Sequence, residues 1–209
     1  MLPKAAASGT HPTLILLHGR GADEEDLLGL TPMLDDRLLI LSVRAPHTWP
    51  EGGGYTWYDV DATGTPEPST FGKSYDALFR FIDDALRHYP VDRKRVALLG
   101  FSMGAVMSYA LSLTLPDLFG GVVAHSGYVP ERTSLHYRWQ DLSFVRFFIA
   151  HGTADPVIPV QLARRAQELF VASNATIEYR EYPMGHEISE QSLADAAAFL
   201  RGLIDRNKD

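Results

Sequence analysis

The stretch RVALLGFSMGA (residues 95–105) decides the fold. It joins a short apolar run to Ser102, which lies between Gly100 and Gly104 in the pattern G-x-S-x-G, and the helical pattern MGAVMSYALSLTL (103–115) follows. A strand, a sharp turn and a helix in that order are typical of a serine nucleophile, because the turn pushes the hydroxyl out over the edge of a sheet. The alternative is a helix N-cap, for which serine is common. The local sequence favours neither.

Short apolar runs recur along the chain, with helical patterns between them. The predicted strands cover residues 13–18, 38–43, 95–100, 121–126 and 145–152, and a more exposed one covers 175–182. Apolar residues at three- and four-residue steps predict helices over 74–89, 160–173 and 190–205. This alternation predicts the α/β class, with a mostly parallel central sheet and helices on both faces. Ligands bind such sheets beyond the carboxyl ends of the strands.

Composition limits the classes of protein that the chain can belong to. Its 209 residues are 45% hydrophobic and 22% charged, which predicts a single domain over 1–209. A net charge of −7 without a basic stripe argues against nucleic-acid binding. The absence of cysteine excludes disulfides, thiolate metal sites and a cysteine nucleophile. Without a signal peptide or an apolar segment long enough to span a membrane, we expect a cytoplasmic protein that is not inserted in a membrane.

Two irregular segments interrupt the alternation of strands and helices. They cover residues 44–71, which are rich in glycine, proline and aromatic residues, and residues 128–143, which contain three aromatic residues and one proline. Long loops inside compact domains are often functional. Neither segment is long enough for a separate cap domain, so none is predicted.

Two downstream residues supply what a serine nucleophile needs, a base and an acid that orients the base. Asp155 in HGTADPVIP (151–159) follows a predicted strand, and Pro156 favours extended backbone before it. His186 in YPMGHEIS (182–189) lies between the last strand and the last helix. Each alone is commonly a turn or solvated residue. Together with the serine they stand in the chain order of a Ser-Asp-His triad, at one edge of the sheet.

An oxyanion hole requires two backbone N–H groups near the nucleophile. The segment LLHGRGADEEDLL (16–28) follows the first strand, which makes the N–H of Arg20 a candidate. The N–H of Met103, directly after the serine, is the second. A plain Gly-rich turn is the alternative for HGRG. The acidic run DEED (23–26) is expected to form the first turn of a helix.

The segments LLHGRGADEEDLL, GFSMGA, HGTADPVIP and YPMGHEIS together resemble the phospholipase/carboxylesterase family of α/β-hydrolases, which includes bacterial carboxylesterases and acyl-protein thioesterases. The resemblance implies an α/β-hydrolase fold and a triad of Ser102, Asp155 and His186. It implies oxyanion donors at the residue after HG and at the residue after the nucleophile, which are Arg20 and Met103.

Two positions depart from this resemblance. Many members of the family have glutamine at Met103, where only the backbone is needed, and leucine at Arg20. The Arg20 side chain either favours a substrate with an acidic group or points to solvent. The stretch YTWYD (55–59) resembles a pocket-lining segment of the family, and we predict that four residues line the substrate pocket. These are Trp57, Tyr58, Tyr128 and Met184. Plain packing is the alternative for aromatic residues and methionine.

The motifs predict a serine carboxylesterase that acts on small to medium acyl or aryl esters, or on thioesters, through an acyl-enzyme intermediate. The alternatives are a carbon–carbon or peptide hydrolase on the same fold and a binding module with a vestigial site. No metal or other cofactor is expected, because the remaining histidines lack the spacing of metal ligands. The expected partner is a small-molecule ester or thioester. The sequence leaves a homodimer open.

Overall fold

The structure, a computed structural model, describes residues 9–62, 64–173 and 175–206. The strands are β1 (His11–Leu17), β2 (Leu39–Val43), β3 (His47–Thr48), β4 (Tyr55–Thr56), β5 (Val91–Phe101), β6 (Gly121–His125), β7 (Arg146–Gly152) and β8 (Thr176–Tyr182). The α-helices are α1 (Pro68–His88), α2 (Met103–Thr114), α3 (Val160–Val171) and α4 (Glu190–Ile204). Three 3-10 helices cover Asp26–Met33, Pro116–Leu118 and Trp139–Asp141. Among these described helices, none is long and apolar enough to cross a membrane.

Six strands form one parallel sheet in the order β2-β1-β5-β6-β7-β8. Its register pairs Leu17 with Gly100, Phe101 with His125 and Gly152 with Tyr182. The strands therefore end close to one edge, and the loops that follow them share that edge. The six predicted strands and the mostly parallel sheet are confirmed.

Helices cover both faces of the sheet, as the sequence predicts. On one face, α1, α2 and α3 bury Leu78, Met107 and Phe170 against the strands. On the other face, α4 and the 3-10 helix Asp26–Met33 bury residues such as Phe199. The helix that follows the serine is apolar on all sides and is buried from Met103 to Leu113, so the turn before it is anchored in the core.

The structure corrects one predicted helix. The segment after HGRG forms a 3-10 helix, Asp26–Met33, rather than a helix that begins with the acidic run at residue 23. Asp23 instead accepts a hydrogen bond from the N–H of Glu25 within a turn, and Glu24 forms an ion pair with Arg44. Pro32 lies inside the segment, and a proline lacks the N–H that an α-helix requires there.

The irregular segment at residues 44–71 contains a small hairpin and the start of α1. Strands β3 and β4 pair in antiparallel orientation, and Ala22 of the loop after β1 bridges to Tyr55 of β4. Helix α1 begins at Pro68 because Glu67 caps it, with its carboxylate accepting the N–H groups of Ser69 and Thr70. The hairpin is thus attached to the loop that follows the first strand.

Candidate active site

The turn at Ser102 has an unusual backbone. Its φ of 55° and ψ of −118° lie where residues other than glycine are rare, and its N–H donates to the carbonyl oxygen of His125 at 2.9 Å. The hydroxyl makes no capping bond to α2. Ser102 thus occupies the N-cap position of α2, but its side chain does not serve as the cap.

The two glycines around the serine are required by close packing. A Cβ atom at Gly104 would overlap the carbonyl oxygen of Leu17 on β1. A Cβ atom at Gly100 would overlap the backbone of Gly104 itself. The strand and the helix can approach each other this closely only because both positions lack a side chain.

The three predicted catalytic side chains lie in hydrogen-bonding contact. The Nε2 atom of His186 is 2.9 Å from Oγ of Ser102, and its Nδ1 atom is 2.7 Å from Oδ2 of Asp155. These distances place the serine hydroxyl next to a base and the base next to a carboxylate. The Ser102 residue is 7% exposed, while the side chains of His186 and Asp155 are 16% and 0% exposed.

The carboxylate of Asp155 has a hydrogen-bond donor for each oxygen. Its Oδ1 atom accepts the backbone N–H groups of Val157 and Ile158 at 2.8 and 2.9 Å, while Oδ2 faces His186. Burial raises the pKa of Asp155, but the hydrogen bonds from His186 and from the two backbone N–H groups outweigh burial and hold the pKa below its usual value. The carboxylate therefore stays ionised.

The loops that carry Asp155 and His186 are bonded to each other. The N–H of Ala154 donates to the carbonyl oxygen of Met184 at 3.2 Å, and the N–H of Thr153 donates to that of Tyr182 at 2.9 Å. A Cβ atom at Gly152 would overlap the carbonyl oxygens of the second loop. The distance between the acid and the base is thus set by backbone contacts.

His151 lies behind the acid and is fully buried. Its Nε2 atom is 2.7 Å from the carbonyl oxygen of Ile158 and 3.4 Å from Oδ2 of Asp155. Burial lowers the pKa of His151, so the ring is neutral and its Nε2–H donates to the Ile158 carbonyl. That bond holds the end of the 155–158 turn whose N–H groups bind the Asp155 carboxylate.

The loop after β1 lies directly against the serine. A Cβ atom at Gly19 would be 3.5 Å from Cβ of Ser102 and 3.1 Å from a ring carbon of Phe101. The Phe101 ring in turn packs against His186, with ring centres 5.0 Å apart. Arg20 is the next residue in the loop, and Met103 opens α2, whose first N–H groups lack partners within the helix. Both predicted oxyanion donors therefore belong to segments that border the nucleophile.

His18 fixes the shape of this loop. Its Nδ1 atom is 2.7 Å from the carbonyl oxygen of Gly19, and its Nε2 atom accepts the N–H of Ala45 at 3.1 Å. Burial lowers the pKa of His18, which keeps the ring neutral with the proton on Nδ1. The indole N–H of Trp57 donates to the carbonyl oxygen of His18 at 2.8 Å. The buried imidazole thus joins the loop to two separate segments of the chain.

The hairpin supports the same loop from outside. The N–H of Gly21 donates to the carbonyl oxygen of Tyr55, and the N–H of Tyr55 donates to that of Ala22, each at 2.8 Å. The Arg20 guanidinium lies over the Trp49 ring, 4.8 Å from its centre. Arg20 is exposed.

The four predicted pocket residues lie close to these loops but are largely buried. Trp57 and Tyr58 are each 1% exposed, and Met184 packs in the core on the α4 face. Burial raises the pKa values of both Tyr58 and Tyr128, and the nearby positive charge of Arg20 opposes that rise. Contact of these four residues with substrate stays a prediction.

Sequence reasoning missed the supporting role of His18. His18 and His151 each precede a glycine at the carboxyl end of a buried strand, in LLHG and IAHG. A repeated His-Gly pair at two strand ends was the available signal. The bonds themselves are to backbone carbonyl oxygens of neighbouring turns, and a residue pattern does not reveal them.

A cavity of about 590 Å³ lies at the opposite edge of the sheet. Its lining includes Gly121, Arg146 and Thr176, which are the first residues of β6, β7 and β8, and no member of the triad. It is therefore separate from the catalytic arrangement.

Comparisons with known proteins agree with this geometry. Residues 4–204 match the family model described as Phospholipase/Carboxylesterase. The chain is 27% identical to an acyl-protein thioesterase 1 of Candida albicans over 97% of this chain and 96% of the relative. It is 32% identical to an acyl-protein thioesterase 1 of Saccharomyces cerevisiae, with 90% and 91% covered.

A solved structure also resembles the chain along most of its length. The carboxylesterase of Bacillus cereus superposes with a TM-score of 0.82 at 26% sequence identity. The match covers 94% of this chain and 92% of that one. The two acyl-protein thioesterases are therefore similar to this chain in sequence, and the carboxylesterase is similar to it in sequence and in fold, over nearly the whole molecule.

Proposed function

The chain belongs to the phospholipase/carboxylesterase family, and from this membership we propose that it is a serine carboxylesterase. We propose that it hydrolyses small to medium acyl or aryl esters, or thioesters, through an acyl-enzyme intermediate. The observation that carries the proposal is the continuous contact from Ser102 through His186 to Asp155, at 2.9 and 2.7 Å. The esterase and thioesterase relatives support the same reaction class.

Acylation begins with the proton of the serine. His186 Nε2 takes the Ser102 proton while Oγ attacks the carbonyl carbon of the ester, which gives a tetrahedral oxyanion. The imidazolium that forms is stabilised by the ionised Asp155, which also keeps the proton on Nδ1. His186 then gives its Nε2 proton to the leaving alcohol or thiol, and the acyl group remains on Ser102.

Deacylation repeats the same proton transfers with water. His186 takes a proton from a water molecule, whose oxygen attacks the acyl carbonyl. The second tetrahedral oxyanion collapses, the carboxylic acid leaves, and the proton returns to Ser102. The residues supply every proton transfer, and the reaction needs no redox step.

The oxyanion is assigned to two backbone N–H groups, those of Arg20 and Met103. The Met103 N–H lies in the first turn of α2, where the helix dipole favours negative charge. The Arg20 N–H lies in a loop that is fixed by His18 and by the hairpin. Donors that are already oriented need no rearrangement when the charge forms, which is the main source of their catalytic effect.

The experiment that tests the proposal is hydrolysis of p-nitrophenyl esters from acetate to decanoate by the wild-type protein and by Ser102→Ala. We expect turnover with an optimum at short or medium chains, and a loss of at least about 10⁴-fold in Ser102→Ala. The matched control is Ser108→Ala, whose buried hydroxyl donates to the carbonyl oxygen of Gly104 within α2.

Either of two results would reject the proposal. Undiminished activity in Ser102→Ala would place the chemistry elsewhere. Absence of activity in the wild-type protein on every ester and on a thioester analogue would favour the binding module or a hydrolase of other bonds. Activity that rises steadily to decanoate would reject the small-to-medium chain preference alone.

Three further features of the proposal rest on the sequence. We propose that the chain forms one domain, acts in the cytoplasm and acts on small molecules rather than on nucleic acid. The homodimer stays open, and analytical ultracentrifugation of the purified protein would decide it.

A further inference from the structure

We propose that the Arg20 side chain selects substrates whose acyl group carries a carboxylate, so that the preferred esters are half-esters of dicarboxylic acids or their thioester counterparts. This inference rests on the proposed esterase function and names its substrate class. Its basis is a guanidinium at the border of the nucleophile that lies over an aromatic ring and has no counter-ion among the described residues.

The position of Arg20 follows from two glycines that touch the serine turn. Gly19 lies against Ser102, because a Cβ atom at Gly19 would be 3.5 Å from Cβ of Ser102. Arg20 is the next residue. On another side, a Cβ atom at Gly127 would be 3.3 Å from the carbonyl oxygen of Ser102, and Tyr128 is the next residue there. Arg20 and Tyr128 therefore border the nucleophile from the loops after β1 and β6.

Two arginines of this region differ in their partners. Arg44 lies over the Tyr55 ring at 4.7 Å and is also paired with Glu24. Arg20 lies over the Trp49 ring at 4.8 Å, and no acidic side chain within the described ranges forms an ion pair with it. The charge of Arg44 is thus already satisfied within the protein, whereas that of Arg20 is available.

The position of the Arg20 guanidinium over the Trp49 ring suits a carboxylate ligand. A guanidinium donates from the edge of its plane, where its N–H groups can form two parallel hydrogen bonds to a carboxylate. The support also reduces the side-chain entropy that binding would otherwise cost. A lone surface cation needs no such support, so the Trp49 contact distinguishes Arg20 from an ordinary solvated arginine.

The polar groups around Arg20 complete the subsite. Burial raises the pKa values of Tyr58 and Tyr128, and the positive charge of Arg20 acts on both hydroxyls in the opposite direction. The carboxylate of Asp61 also raises the pKa of Tyr128, and its Oδ1 atom accepts the N–H of Thr65 at 3.0 Å. A hydroxyl pair beside an unpaired cation can donate a further hydrogen bond to an anionic group.

The order of the strands favours the acyl side of the ester for this charge. The leaving group must face His186, which protonates it, and the acid that orients His186 follows β7. Arg20 follows β1, which lies on the other side of β5 from β6 and β7. The acyl chain, which extends away from the histidine, is therefore the part of the substrate that the guanidinium can reach.

The test compares two ethyl esters of equal length that differ only in charge. Monoethyl glutarate carries a terminal carboxylate, and ethyl 5-amino-5-oxopentanoate carries a neutral amide in its place. The measured quantity is the ratio of kcat/KM for the anionic ester to kcat/KM for the neutral one, by pH-stat at neutral pH. Any damage to the oxyanion hole lowers kcat/KM for both esters by the same factor, because both use the Arg20 backbone N–H. Such damage therefore leaves the ratio unchanged.

We expect wild-type protein to prefer the anionic ester and Arg20→Gln to lower the ratio about tenfold. Arg20→Lys should lower it less, since a point charge remains. The matched control Arg44→Gln should leave the ratio unchanged. High salt should lower the ratio in wild-type protein but not in Arg20→Gln.

The inference is overturned by an unchanged ratio in Arg20→Gln, or by wild-type protein that does not prefer the anionic ester while it still hydrolyses p-nitrophenyl esters. Failure of the proposed function looks different. In that case wild-type protein hydrolyses neither member of the pair nor any p-nitrophenyl ester.

Discussion

Ser102 and Ser126 occupy similar positions in neighbouring loops. Each directly follows a buried parallel strand, β5 or β6, and each has a positive φ, 55° and 52°. Both are buried, at 7% and 0% exposed. By backbone strain, burial and place in the sheet, the two serines are nearly equivalent.

Their hydroxyl groups differ. The Ser102 hydroxyl contacts Nε2 of His186, whereas the Ser126 hydroxyl has no hydrogen-bond partner among the described residues. A strained turn places a hydroxyl, but it does not make the hydroxyl a nucleophile, because a neutral serine needs a base to take its proton. The comparison teaches that the loop carrying His186 decides which serine reacts.

The largest expected effect is the loss of catalytic activity in Asp155→Asn. The backbone N–H groups of Val157 and Ile158 need an acceptor at the Oδ1 position, so the amide oxygen of asparagine takes that place. The NH₂ group then faces Nδ1 of His186 and forces its proton to Nε2, where the ring can no longer accept the Ser102 proton. We expect kcat to fall about 10⁴-fold, measured with a p-nitrophenyl ester.

A matched control for that variant is Asp117→Asn, which removes a carboxylate that lies at the opposite edge of the sheet and is 70% exposed. Its kcat should stay within about twofold of wild type, as for most surface changes. A similar loss in both variants would show that Asp155 acts on the fold and not on the histidine.

A smaller effect, on the pH dependence of the free energy of unfolding, is expected from a change at His125. This residue joins the turn at Ser102 to the turn at Ser126. Its carbonyl oxygen accepts the N–H of Ser102, while its ring is fully buried. Burial and the neighbouring His151 lower the pKa of His125 to about 4, from an ordinary value of 6.5. The unfolded chain therefore takes up a proton at a higher pH than the folded protein.

The free energy of unfolding should then fall as the pH drops from about 6.5 toward about 4. His125 accounts for a loss of about 2 kcal/mol between pH 7 and pH 5, measured by urea unfolding. His125→Gln should remove that part of the pH dependence, whatever its effect at pH 7. His88→Gln, at an exposed position, should keep it. An unchanged slope in His125→Gln would contradict the burial argument.

The smallest expected effect is a change in the free energy of unfolding in Ser126→Gly. Glycine adopts the φ of 52° without strain, and the change removes an unpaired buried hydroxyl. We expect about 1 kcal/mol of stabilisation, after the added flexibility of the unfolded chain is counted. Ser126→Ala, which keeps the strain, should be less stable than Ser126→Gly. Both variants should retain esterase activity, and a large loss in either would assign Ser126 a catalytic part.

Much of the site follows from local sequence because its geometry depends on local constraints. Gly100 and Gly104 are required by contacts within one strand–turn–helix unit, so the G-x-S-x-G pattern contains the information. The ends of parallel strands meet at one edge, so the positions of Asp155 and His186 in their loops predict their approach. The comparison proteins support the same family without reference to that geometry.

The sequence says less where structure depends on distant backbone groups. The acidic run at 23–26 is typical of a helix start, but an ion pair with Arg44 and the bridge from Ala22 to Tyr55 hold part of it in a turn. Similarly, the Nε2 atom of His18 accepts the N–H of Ala45, 27 residues away. Such bonds depend on how loops meet, which periodicity does not encode.

The central claim is that Ser102, and not its structural counterpart Ser126, is the nucleophile. The most direct measurement is mass spectrometry of the peptides labelled by a fluorophosphonate, which reacts with an activated serine hydroxyl. We predict one phosphonylated serine, Ser102, in wild-type protein and in Ser126→Ala, and no labelled serine in Ser102→Ala. A label on Ser126, or a label that persists in Ser102→Ala, would contradict the account.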